Sequence, residues 1–159
     1  MTNKEKFKVG VIGATGMVGQ RFVTLLENHP WFRLTAVAAS AKSAGWSLDI
    51  PCPEEAKDIR VLDAEADAEK LAASVDFCFC AVDMKKEEIR ALEERYAKAE
   101  VPVISNNSAN RHTPDVPMLI PEINGAHAAV IEAQRRRLGT RAGFIAVKPN
   151  CSIQSYVPA

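Results

Sequence analysis

Lys8-Val9-Gly10-Val11-Ile12-Gly13-Ala14-Thr15-Gly16-Met17-Val18-Gly19 decides the fold. An apolar run, Phe7 to Ile12, reads as a strand. It meets three glycines spaced three apart. From Met17 to Asn28, Val18, Phe22, Leu25 and Leu26 then recur at helical spacing. A strand that turns through glycines straight into an amphipathic helix is the βα turn that cradles phosphates. Each glycine answers a physical need: Gly13 a tight turn, Gly16 an open backbone facing a pyrophosphate, and Gly19 close packing of helix on sheet. The helix start then offers unpaired N–H groups to the phosphates. The spacing departs from the commoner G-x-G-x-x-G form, which leaves the pyrophosphate pose open.

Outward from this turn, apolar runs and helix-like stretches alternate. Leu34–Ala39 and Ile59–Leu62 read as strands, Ala66–Ser74 as a short helix, and Val75–Val82 as a buried central strand. Lys86–Lys98 repeats the helical pattern through Ile89, Leu92 and Tyr96. Val101–Ser105, Met118–Ile120 and Phe144–Val147 read as strands, and Gly125–Leu138 as a helix. The alternation predicts an α/β fold with a doubly wound, mostly parallel sheet of the Rossmann type. Residues 1–149 are expected to form a dinucleotide-binding domain, and 150–159 the opening of a second, catalytic domain. The polar stretch from Asn106 to Asn124, with Pro114, Pro117 and Pro121, is long for a loop, and long loops commonly carry function.

Composition narrows the function class. The chain has 159 residues, the length of one domain, with 20 Lys and Arg against 20 Asp and Glu. A formal net charge of zero speaks against a nucleic-acid surface. Hydrophobic residues at 47% and charged residues at 25% are ordinary for a globular protein and too apolar for disorder. No apolar run reaches a membrane span, and Met1–Lys8 carries no signal-peptide core, so a cytoplasmic location is expected. Cys78 and Cys80 read as buried small hydrophobes on one strand face, since a C-x-C pair without a second Cys/His cluster makes a weak metal site. Cys52, between Pro51 and Pro53, reads as a surface-loop residue of no chemical role.

The end of the second strand bears on which nucleotide binds. An Asp or Glu there would hold a ribose 2′-hydroxyl. Here the chain offers Ala39-Ser40-Ala41-Lys42-Ser43-Ala44-Gly45, whose hydroxyls and lysine suit a 2′-phosphate. NADP is therefore expected over NAD, the alternative being a plain flexible loop.

Cys151 follows the last strand in Lys148-Pro149-Asn150-Cys151-Ser152. If a helix starts there, its N-terminus favours a nucleophilic thiolate. By residues alone a buried structural cysteine is equally compatible. By residues alone Arg111 reads as a surface arginine in a polar loop. His29 reads as a surface cap after a helix, His112 as a neighbour of Arg111, and His127 as exposed. Arg135-Arg136-Arg137 reads as a cationic helix C-terminus.

Ser105-Asn106-Asn107-Ser108-Ala109-Asn110-Arg111, Pro149-Asn150-Cys151-Ser152, Pro117-Met118-Leu119-Ile120-Pro121-Glu122-Ile123-Asn124 and the glycine loop together resemble aspartate-semialdehyde dehydrogenase, particularly its archaeal and fungal-like branch. The likeness runs from about Phe7 to the last residue. It implies NADPH-dependent reduction of L-aspartyl-4-phosphate to L-aspartate 4-semialdehyde, toward lysine, threonine, methionine and diaminopimelate. It makes Cys151 the thioester-forming nucleophile, with Asn150 positioning the carbonyl and Arg111 binding the substrate phosphate. It assigns Gly13, Thr15, Gly16, Met17, Val18 and Gly19 to the pyrophosphate loop, Ser40 and Ser43 to the adenosine phosphate, and Asn107 and Ser108 to the nicotinamide side. It also implies a homodimer or homotetramer at full length. The family chain is about twice as long, and its catalytic histidine and carboxylate-binding arginine lie in a second domain. None of the three histidines here matches that residue, so the chain is expected to be a fragment inactive alone. Two alternatives stay open: an N-acetyl-glutamyl-phosphate reductase-like enzyme, and a non-catalytic NADP-binding module.

Overall fold

The computed structural model describes residues 5–47, 52 and 54–158. The chain divides into two compact units, residues 1–83 and 84–159. The expected α/β, Rossmann-type class is the class found, with parallel strand pairing in each unit.

Unit 1 contains β1 (Phe7–Ile12), α1 (Met17–Leu25), β2 (Phe32–Ala39), β3 (Leu62–Asp63), α2 (Ala68–Ala72) and β4 (Phe77–Cys80), with 3₁₀ turns at Ala41–Ser43 and Glu54–Ala56. Its strands lie in the order β3-β2-β1-β4, all parallel. The chain steps from β1 outward to β3, then returns to the other side of β1. Strand direction of travel therefore reverses beside β1, which makes its carboxyl end a topological switch point.

β1 is buried on both faces from Val9 to Ile12, as a central parallel strand must be. Val9 and Val11 pack with Val23, Leu26, Leu34 and Val37, all at most 4% exposed. Each such side chain contributes about 1.5–3 kcal/mol by leaving water. On the opposite face a Cβ at Gly10 would stand 3.2 Å from Leu71 of α2 and from Val75. Glycine there lets that layer close on the strand.

Helix α1 stops at Leu25 rather than at Asn28. Asn28 takes a left-handed φ of 52°, which ends the helical path. Its buried stripe is Gly19, Val23 and Leu26, at i, i+4 and i+7, whereas Val18 and Leu25 are exposed. Of the expected positions, Leu26 is buried and Phe22 is half-buried, stacked on Phe79 at 4.6 Å. The third strand is also displaced, from Ile59–Leu62 to Leu62–Asp63. Val61 is drawn instead to Trp46 and Gly45 by two backbone hydrogen bonds, 2.9 and 2.8 Å. Ala66–Ser74 shortens to α2, and Val75–Val82 shortens to β4. Cys78 and Cys80 share a fully buried face of β4, as expected. Cys52 is half-buried against the unit 1 core instead of lying loose on the surface, and Pro51 and Pro53 lie outside the described residues.

Unit 2 contains α3 (Lys86–Lys98), β5 (Val103–Ser105), α4 (Pro121–Asn124), a 3₁₀ segment Gly125–Val130, α5 (Ile131–Leu138), β6 (Ile145–Val147) and α6 (Cys151–Tyr156). β5 and β6 pair in parallel, Val103 opposite Ile145 and Ser105 opposite Val147. Helix α3 has the expected limits, and Ile89, Leu92 and Tyr96 are buried. Met118–Ile120 is no strand; Met118 forms an isolated parallel bridge to Val147. The helix expected from Gly125 is α-helical only from Ile131, and ends at Gly139 in left-handed geometry, φ 72°.

Two polar side chains hold unit 2 together, Gln134 from within and Glu100 at the surface. Gln134, fully buried, donates to the carbonyls of Asp115 (2.8 Å) and Ile145 (3.0 Å) and accepts from the Ile145 amide (2.6 Å). It supplies β6 with hydrogen bonds on its open edge. Glu100 accepts from the amides of Arg141, Ala142 and Gly143, and these bonds, that of Ala142 first, hold its carboxyl below the ordinary value of 4.5. Arg137 pairs with Asp115 at 2.6 Å and Glu94 at 2.9 Å, so the arginine run is a paired helix terminus. No helix among the described residues is long and apolar enough to cross a membrane.

Candidate dinucleotide and thiol sites

In unit 1 the glycine loop leaves β1 at the switch point. Gly13 takes φ 87°, and a Cβ on it would stand 2.5 Å from the Ala81 carbonyl oxygen. No other residue type can make that turn. A Cβ on Gly19 would stand 2.0 Å from the Gly13 oxygen, so only glycine allows α1 to start there. Gly16 differs. It is exposed, its φ is an ordinary −77°, and a Cβ would meet nothing nearer than 3.4 Å. The fold itself does not require glycine at 16.

Thr15, Gly16, Met17 and Val18 are exposed, and Met17 is 89% so. No side chain caps α1. The amides of its first turn lack intrahelical acceptors, as at any helix start. The amides of Gly13 and Ala14 are occupied by the Ala38 carbonyl, at 2.8 and 3.0 Å. An exposed turn with uncapped amides fits the pyrophosphate of a dinucleotide.

β2 ends at Ala39 without a carboxylate. Ser40 and Lys42 are exposed, and Ser43 is 9% exposed in an ordered 3₁₀ turn, with its amide on the Ser40 carbonyl at 2.9 Å. Trp46 follows, 61% exposed, its amide on the Ser43 carbonyl. Asp63 of β3 pairs with Ala39 in register, but its Oδ1 accepts from the amides of Glu65 and Ala66, both at 2.8 Å. That carboxylate is engaged in its own turn. His29 does not cap a helix: its Nδ1 accepts from the amides of Trp31 and Phe32, and its ring stacks on Phe32 at 4.4 Å.

In unit 2, α6 begins at Cys151. Asn150 is its N-cap, with Oδ1 accepting from the Ser152 amide at 2.9 Å. Cys151 is exposed, so the buried structural reading does not hold. Arg111 is half-buried. Its Nε donates to the Lys148 carbonyl at 3.2 Å, and Nη2 lies 3.5 Å from the carbonyls of Pro149 and Asn106. It is thus no loose surface arginine: it braces the segment that leads into the thiol. Ser108 is exposed, whereas Asn107 is 9% exposed and its amide donates to Glu93 at 3.1 Å. Glu93 also accepts from Asn110, at 2.8 Å, and from the Ser105 hydroxyl. Sequence reading missed Glu93, since a glutamate in a charged helix looks solvent-facing. Its place one position after Leu92 on the buried stripe was the available signal. His112 and His127 are exposed.

A βα glycine loop at a sheet switch point, opening an uncapped helix, is the architecture of a dinucleotide-binding domain. The family model described as semialdehyde dehydrogenase, NAD binding domain, matches residues 8–131. The chain belongs to that family. Aspartate-semialdehyde dehydrogenase of Methanothermobacter thermautotrophicus is 44% identical over 152 residues, covering 91% of this chain and 42% of the relative. That of Cryptococcus neoformans is 36% identical, covering 99% of this chain and 44% of the relative. Among solved structures, aspartate-semialdehyde dehydrogenase with NADP from Candida albicans superposes with a TM-score of 0.77 at 34% identity, covering 96% of this chain and 45% of that one. The chain thus spans less than half the length of the relatives it matches.

Proposed function

We propose that this chain supplies the NADP(H) site and the nucleophile of an aspartate-semialdehyde dehydrogenase, which turns L-aspartyl-4-phosphate into L-aspartate 4-semialdehyde and phosphate. The observation that carries the reading is Cys151: an exposed thiol opening α6, behind an asparagine cap and an arginine brace. Its Sγ would bond to the acyl carbon while the carbon–oxygen bond to phosphate breaks, and the leaving phosphate would take that electron pair. A thioester stays electrophilic enough to accept hydride, which NADPH would supply. Collapse to the aldehyde would return the thiolate. Asn150 would orient the carbonyl, and Arg111 would meet phosphate oxygens with its planar fork.

Gly13, Thr15, Gly16, Met17, Val18 and Gly19 would hold the pyrophosphate, and Ser40, Lys42 and Ser43 the 2′-phosphate. Asn107 and Ser108 would line the nicotinamide side, the exposed Ser108 hydroxyl being the better placed of the two. The resemblance further implies a cytoplasmic enzyme of amino-acid biosynthesis, homodimeric or homotetrameric at full length, with its proton-transferring histidine outside these 159 residues. The names of the relatives favour the aspartyl substrate over N-acetyl-glutamyl phosphate.

Two measurements test the proposal. Aspartyl phosphate should acylate Cys151, seen as an aspartyl mass adduct on its tryptic peptide, without steady turnover of NADPH. Acylation elsewhere, or a rate like that of a full enzyme, overturns the assignment. NADPH should bind more tightly than NADH, and Lys42→Glu should reduce that preference about tenfold, or roughly 1.4 kcal/mol. A preference for NADH in the wild type sinks the NADP assignment.

A further inference from the structure

Helix α3 places Arg90 and Glu93 one turn apart, on neighbouring positions of one side. Both grip the same loop. Arg90 Nε donates to the Ala109 carbonyl at 2.9 Å. Glu93 is 1% exposed and accepts from three side chains: the Ser105 hydroxyl and Asn107 Nδ2 on Oε1, and Asn110 Nδ2 on Oε2. Asn110 is fixed in turn, since its Oδ1 accepts from Thr113 Oγ1 at 3.0 Å. Arg111 comes next in the chain and reaches the Lys148 carbonyl, while the Lys148 amide donates to the Ser105 carbonyl at 3.0 Å. The loop from Ser105 to Arg111 is therefore pinned on one side by Glu93 and on the other touches the segment before Cys151.

A buried carboxyl group is a costly way to fill a helix face that otherwise packs through Ile89, Leu92 and Tyr96. An apolar residue would pack at less cost but would give up all three of these bonds. What the carboxyl secures is one loop geometry. We infer that Glu93 is a positioning residue for the reaction proposed above, setting the Arg111 guanidinium beside the thiol segment through its bonds to Ser105, Asn107 and Asn110. Glu93 makes and breaks no bond to substrate. It acts through Arg111, which meets the phosphate of the acyl phosphate.

Glu93→Gln keeps the volume but turns an amide donor toward the Ser105, Asn107 or Asn110 donors. Asn110→Ala removes one arm and leaves Glu93 in place. In folded, isotope-labelled protein both variants should shift the Arg111 Nε–H resonance and speed its exchange with water. Both should also slow acylation of Cys151 by aspartyl phosphate by about tenfold or more, as a displaced binding group does. Alkylation of Cys151 by iodoacetamide, which has no phosphate to place, should stay within about twofold. An unchanged Arg111 resonance in the folded variants, or equal loss with both reagents, overturns the inference. Should Glu93→Gln fail to fold, Asn110→Ala carries the test. A wild-type chain that aspartyl phosphate does not acylate overturns the proposed reaction instead, and the Arg111 resonance then still decides whether Glu93 sets the loop.

Discussion

Gly16 and Gly19 belong to the same motif but answer to different constraints. At Gly19 the Gly13 oxygen would stand 2.0 Å from an added Cβ, so Gly19→Ala should destabilise the chain by about 1–3 kcal/mol or prevent folding. At Gly16 the nearest atom would be 3.4 Å away, an ordinary contact. Gly16→Ala should melt close to wild type yet bind NADPH less tightly. Thermal melts paired with nucleotide titrations check both; equal loss of stability in the two variants would refute the distinction. At this scale the motif was legible from glycine spacing, because Gly13 and Gly19 mark backbone that leaves no room for a side chain. Glu93 and Gln134 were not legible. A lone sequence gives polar side chains a solvent face by default, and only the packed structure reveals acceptors and donors waiting inside.

Among the elements, α3 was readable to its limits because Ile89, Leu92 and Tyr96 keep one face and charges fill the rest. Helix α1 was read too long because the stop lies in a left-handed Asn28, and asparagine is only one of several residues that take that conformation. β3 was misplaced because Val61 bonds to the Trp46 segment, a long-range competition that local pattern does not contain. The link from α3 to β6 carries a pH-dependent element. Glu100 accepts three amides of residues 141–143, foremost that of Ala142, which lowers its pKa. A depressed carboxylate stabilises the fold above its ordinary value of 4.5, and that contribution fades as pH falls through the folded value. Glu100→Gln should therefore melt below wild type at neutral pH, with the gap narrowing as pH falls below 4.5. A gap that stays constant down to pH 3 would remove the charge from the account.

On the scale of the whole molecule, the four thiols fall into separate classes. Cys78 and Cys80 are fully buried, Cys52 is half-buried and Cys151 is exposed. Under a slow thiol reagent Cys151 should label first in the folded chain, while Cys78 and Cys80 should label together and only at the rate of unfolding of unit 1. Added NADPH should slow the labelling of Cys78 and Cys80, because a ligand that binds the folded state raises its stability. Early labelling of Cys80 alone would mean that the carboxyl end of β4 opens independently.

Trp31 and Trp46, the two tryptophans of the chain, both belong to unit 1, and Trp46 adjoins the turn at Ser40–Ser43. Indole emission therefore arises within that unit. Changes in it can follow coenzyme docking beside the Ser40–Ser43 turn. A single cuvette can follow coenzyme docking by fluorescence while mass spectrometry follows the thiol.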